Sequence, residues 1–151
     1  MSDDGLDIID PPTRQVMFRG ERLELRPLTI GQLPAFSRLV RPVIAEFVSD
    51  RRPHWQENDA LMVLDLQDLH GEAIIQAAAL ASGLPVERVA GAEEISDLLR
   101  LVYAIVEVNR DFFIRMMRAE LVAHRRAAEV EQPAQTGGPM PSSTSSEPVT
   151  T

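Results

Sequence analysis

The chain has no cysteine. A disulfide framework, a thiol nucleophile and a thiolate metal site are all excluded, and the count suits a reducing compartment. It also has no lysine: its 15 basic residues are all arginine. A GC-rich coding sequence accounts for that, though Arg is also the better residue for fork-like pairing with carboxylates at an interface. Positive charge is in short supply, with a formal net charge of −8. A general nucleic-acid binder needs clustered positive charge to neutralise phosphates, so that class is disfavoured. No apolar run approaches the roughly 20 residues that span a bilayer. The opening MSDDGLDIIDPP is acidic, without the basic-then-apolar pattern of a signal peptide. The expectation is a soluble, cytoplasmic protein.

What is present is enough apolar residue for a core, 44% of the 151 positions. The ends carry little of it, so the compact unit should span roughly 110–120 residues, a size that folds alone. Residues 1–13 hold four Asp and Pro11-Pro12 and read as a flexible acidic arm. In RQVMFRGERLELRPL, Val16, Phe18, Leu23 and Leu25 alternate with polar or flexible neighbours around Gly20, which signals a β-hairpin. Such a hairpin must bury its apolar face on something else.

From Thr29 the period becomes helical. Thr29 followed by Gln32 suits a capping box. Leu33, Phe36, Leu39, Val40, Val43, Ile44 and Phe47 form one stripe. Pro42 lies inside it and predicts a kink or a restart. After a loop over SDRRPHWQEND, a helix follows, with a break near His70-Gly71 and a stop at Gly83 before Pro85. VERVAGA suits a short helical turn. The spacing then predicts one long helix from Ala92–Ile95 to about Ala128. The expected fold is mainly α: a small N-terminal hairpin packed on a bundle of about five helices. One domain covers 14–130, and a disordered Pro/Ser/Thr tail covers 131–151.

No catalytic signature appears. His54, His70 and His124 lie on different elements, and His70 with Glu72 finds no third ligand at a zinc spacing. Neither a P-loop nor a dinucleotide or nucleophile-elbow fingerprint is present. Asp65, Asp68 and Glu72 share one helical face; a solvated face is the plain reading, an acidic docking face the sharper one. Arg110, Arg115, Arg118, Arg125 and Arg126 gather on the last helix, where an internal match to the acidic 59–72 region is the expected use. No enzyme activity, cofactor or metal is expected.

The long helix carries one anomaly. With Ile95 as a heptad a position, the a and d sites read Ile95, Leu98, Val102, Ile105, Asn109, Phe112 and Met116. Leu99, Val106, Phe113 and Met117 form a second flank, so the stripe is that of a bundle helix rather than a narrow seam. Asn109 puts an amide where the pattern asks for Leu. Such an Asn can fix register or oligomeric state. More plainly, it can bond the hairpin or a loop of its own chain, since an unpaired buried amide is costly.

VMFRGERLELRPLTIGQLPAFSRLVRPV, a strand pair leading into a helix, resembles the tail assembly chaperones of Mu-like and related long-tailed bacteriophages and their prophages. ASGLPVERVAGAEEISDLLRLVYAIVEVNRDFF is similar to the same family, including EVNRDFF, and the resemblance covers roughly residues 14–118. It implies a small, mostly helical, non-enzymatic protein of the host cytoplasm that is not part of the mature virion. The partner it implies is the tape measure protein, held soluble while tail tube protein polymerises around it, and in many such phages a longer frameshifted form of the chain is made; a homo-oligomer is a further expectation. The groove this requires is expected to be lined by Phe36, Leu39, Val40, Phe112, Phe113, Met116 and Met117, with Asn109 tying the long helix to the start of the Thr29 helix. Two other classes compete. HGEAIIQAAALASGLPVERVAG superficially resembles the helix-turn-helix of a small transcriptional regulator, but has almost no Arg where bases would be read. An enzyme with an unrecognised carboxylate or histidine site is the other.

Overall fold

A computed structural model of the chain describes residues 12–49 and 51–131. The expected arm lies outside the described residues up to position 11, and the expected tail from position 132 onward. The fold is mainly helical: a two-stranded antiparallel hairpin is followed by five helices.

Strands β1 (Arg14–Phe18) and β2 (Glu21–Leu25) pair with Val16 opposite Leu23 and Phe18 opposite Glu21. Arg19 (φ 49°) and Gly20 (φ 77°) both take positive φ at the turn. That geometry matches the twist of the flanking strands, and Gly20 accepts it without steric cost. Arg19 does not, but its guanidinium donates to the Arg88 carbonyl at 3.0 Å, and Glu21 pairs with Arg88. The turn is thereby tied to a distant helix. Phe18 and Leu25 are buried and Val16 and Leu23 half-buried, against helix α4.

Helix α1 (Leu33–Val48) starts later than the Thr29 capping box implied. Only half of the box forms: the Gln32 side chain accepts from the Thr29 N–H at 2.9 Å, while the N-cap itself has no side-chain bond. The expected restart at Pro42 does not occur, and α1 runs through it as one helix. Pro42 and Arg38 are both exposed, so the carbonyl that loses its partner lies on the solvent side, where water can pair it. Phe36, Val40 and Ile44 stay buried on the opposite face.

A 3₁₀ turn (Pro53–Gln56) leads to α2 (Asp59–Ser82). Asn58 caps α2 by accepting from the N–H groups of Ala60 and Leu61. His70 leaves helical conformation (φ −135°, ψ 15°), which is the break expected near His70-Gly71. Gly83 ends the helix in the left-handed region (φ 75°). Ala77, Ala78 and Ala79 are buried, small enough for neighbouring helices to approach closely.

After the short α3 (Val86–Ala90), the single long helix of the sequence reading is in fact two: α4 (Ile95–Val108) and α5 (Arg110–Glu131). They divide at Asn109 (φ −109°, ψ 29°). Leu101 and Ala104, off the heptad seam, are buried as deeply as any seam residue, which is the wide stripe of a bundle helix. Helix α5 has no buried residue; its first turns lie along α1, and Arg41 meets Glu120 at 3.3 Å.

Candidate functional site

Helices α1, α2 and α4, with the first turns of α5, enclose a groove of about 390 Å³. Val43, Ile44 and Phe47 come from α1, Met62, Val63 and Leu66 from the first half of α2. Ile74, Ala77 and Ala78 follow from its second half, and Leu99, Val102, Tyr103 and Val106 from α4. Among the described residues, the Tyr103 hydroxyl is the one polar side-chain group in the lining. The groove opens to solvent: Tyr103 is 65% exposed and Phe47 48%.

Of the expected groove residues, Phe36, Val40, Phe113 and Met117 line it. Phe36 is 1% exposed, so it is floor rather than contact surface. Leu39, Phe112 and Met116 do not reach the groove; they pack against the core as partly buried residues. The helical period gave the stripe, and the crossing of α1 and α5 decides which side of it meets the groove. Phe36 meets Phe112 and Phe113 edge-on, with centroids 5.7 and 5.9 Å apart, so these rings make the α1–α5 joint. The exposed members, Phe47 and Tyr103, were not singled out in the sequence. Their signal was Phe47 on the α1 stripe and Tyr103 one position from Val102 on the seam.

Asn109 forms the seam between α4 and the hairpin connection. Its Oδ1 accepts from the Leu28 N–H at 2.8 Å, and its Nδ2 donates to the Ile105 carbonyl at 2.9 Å. The residue is 8% exposed. The amide is spent within its own chain, on the segment leading into α1.

Asp65 is more than part of a solvated acidic face. Its Oδ2 accepts from Trp55 Nε1 at 2.8 Å and from His54 Nε2 at 3.0 Å, with Arg52 at 3.6 Å. Arg52 bonds Glu46 at 2.6 Å and lies 5.4 Å over the Trp55 ring. These contacts fasten the first half of α2 to the 3₁₀ turn and the end of α1. The expected match between the α5 arginines and the acidic 59–72 region is therefore not made: Asp65 is paired with Arg52, and α5 packs on α1. Nor does the helix-turn-helix likeness extend to a recognition helix. α3 has five residues, and its Arg88 is engaged by Glu21. Among the described residues, no cluster of three or more potential metal ligands occurs, and no helix is long and apolar enough to cross a membrane.

A family model described as "Family of unknown function (DUF6631)" matches residues 5–151. The chain belongs to that family. No curated protein and no solved structure matches it. The family's sequence span thus includes every element that shapes the groove and the Asp65 cluster.

The Asp65 cluster sets a pH response. Its carboxyl is held below the ordinary carboxylate range, chiefly by the Trp55 hydrogen bond, then by that of His54, with the Arg52 charge assisting against partial desolvation. A folded-state pKa below the unfolded value of about 3.9 gives stability that is full above that value and lost as pH falls through the folded pKa. The emission of Trp55, the one tryptophan of the chain, should stay constant from neutral pH down to about 5 and move to the red below about 4. In Asp65→Asn that acid transition should disappear. A red shift beginning near pH 6 would contradict this assignment.

Proposed function

We propose that this protein is a phage tail assembly chaperone, which holds an apolar helical face of the tape measure protein in its groove until tail tube protein replaces it. The groove carries the reading. Apart from the Tyr103 hydroxyl its lining is apolar, and among the described residues no convergent set of polar groups of the kind that orients a small molecule or reacts with one lies in it. Such a surface suits an amphipathic helix laid in by its anchor residues. Met62 and Met117 add adaptable side chains, useful for a long partner whose apolar faces vary along its length. The resemblance of VMFRGERLELRPL and EVNRDFF to tail assembly chaperones supplies the identity of the partner. On this reading the chain is no enzyme and needs no cofactor. It works in the cytoplasm of the bacterial host and is absent from the finished virion, with the tail tube protein, a frameshifted form of itself and further copies of itself as additional partners.

Co-expression with the cognate tape measure protein, followed by affinity purification and light scattering, tests it. The expected result is a soluble complex with several copies of this chain per tape measure. A tape measure that stays insoluble while this chain runs alone would remove the reading.

A further inference from the structure

The sides of the groove are not equally anchored. α1, α4 and the second half of α2 all contribute buried residues to the shared core, and α5, which has none, packs Phe112, Phe113, Met116 and Met117 against it. The first half of α2, residues 59–69, does neither, yet supplies Met62, Val63 and Leu66 to the groove. It is joined to the anchored half at His70, where helical geometry is lost, with Gly71 next in sequence. His70 Nε2 is buried there and has no hydrogen-bond partner among the described residues. An unpaired buried polar atom raises the energy of this conformation, and movement at the joint would hydrate it. On its far side the same segment carries Leu61 and Leu64, which are 45% and 58% exposed. Its polar tether is Asp65, bonded to Trp55 and His54.

The groove holds about 390 Å³ and opens to solvent beside Phe47 and Tyr103. As it stands it admits the anchor side chains of a helix laid across its mouth. Outward movement of residues 59–69 would deepen it toward the body of that helix.

We propose that residues 59–69 form a lid over the groove, hinged at His70-Gly71 and latched by Asp65 onto Trp55, and that the lid opens to seat the partner helix. The role of the opening rests on the reading of the groove as a partner site; the hinge and the latch do not.

Hydrogen–deuterium exchange on the full chain reads the hinge without any partner. In the wild type, residues 59–69 should exchange at least about tenfold faster than 74–82, as a separately opening unit does. Asp65→Ala removes the acceptor, and Trp55→Phe removes the shortest of its bonds while keeping a ring in place and leaving His54 and Arg52 beside it. Each should speed exchange in 59–69 by about another tenfold and leave 74–82 and 95–108 unchanged. Each should also raise the fluorescence of added 8-anilinonaphthalene-1-sulfonate, as the apolar walls part. Exchange of 59–69 in step with 74–82 in all three proteins would overturn the hinge. Fast exchange of 59–69 that neither substitution alters would overturn the latch. A lid that opens as described, in a protein that fails to solubilise the tape measure, would leave the hinge standing and remove the chaperone.

Discussion

Replacing Asn109 by leucine is expected to lower the stability of the fold by about 2 kcal/mol, although the change puts an apolar residue where the heptad pattern asks for one. The loss comes mainly from Leu28. Its N–H donates to Asn109 Oδ1 at 2.8 Å in a partly buried site. With leucine at 109 that donor has no partner, and an unsatisfied buried donor costs about 1–3 kcal/mol. The Ile105 carbonyl suffers less. It also accepts from the Asn109 backbone N–H at 3.1 Å, so it keeps one bond when Nδ2 is removed. The added apolar burial returns part of the difference, which keeps the net near 2 kcal/mol. Urea denaturation of wild type and Asn109→Leu measures it. The competing view of Asn109, a device that sets oligomeric state, expects a change in mass by light scattering with little change in stability. Both sides of the amide are bonded within the chain, so the account here expects the reverse.

Substitution of Phe47 and Tyr103 by aspartate is expected to abolish tape measure binding without unfolding the protein. Their side chains line the groove while remaining 48% and 65% exposed. A carboxylate there is solvated in the free protein, so stability should change by less than about 1 kcal/mol. In the complex the same carboxylate is driven into an apolar contact without a partner, a cost of several kcal/mol. At about 1.4 kcal/mol per tenfold, each substitution should weaken association by a hundredfold or more. Phe113 and Met117 are poorer probes. Phe113 meets Phe36 at 5.9 Å and Phe112 at 5.4 Å, so its truncation loosens the α1–α5 joint as well as the groove. Phe-to-small changes in such packing cost about 3–5 kcal/mol, enough to confuse lost binding with lost fold. Pull-down of the tape measure, set beside thermal melting of each variant, separates the two effects.

These two predictions mark what was legible in the sequence and what was not. The hairpin was legible because alternation around Gly20 is a local signal, and so were the break at His70-Gly71 and the stop at Gly83. Asn109 was visible as an exception to the apolar period. That it divides α4 from α5 was not, because the helical period continues across it. The amide's partner is Leu28, 81 positions away, and no local pattern records that bond. Pro42 misled for a related reason. A proline rule describes the lost backbone bond, while the buried face of Phe36, Val40 and Ile44 holds α1 together across it. The groove was half legible. The stripes named the right helices, but Leu39, Phe112 and Met116 fell to the core side of the α1–α5 crossing, and the wall from Met62 to Leu66 went unnoticed. That part of α2 is apolar on both sides, so periodicity gave it no face.

The central claim is that this groove seats a helical segment of the tape measure protein. With no cysteine in the chain, a single Tyr103→Cys substitution labelled with benzophenone maleimide places one photo-crosslinker at the groove's mouth. Ile30→Cys, at a position 87% exposed and outside the groove lining, is the matched control. After co-expression with the tape measure, labelling and irradiation, mass spectrometry of the cross-linked peptides reads the contact. The account predicts cross-links from position 103 to apolar stretches of the tape measure with helical spacing, and few or none from position 30. Equal cross-linking from both positions, or none from position 103 in a complex that still co-purifies, would contradict it.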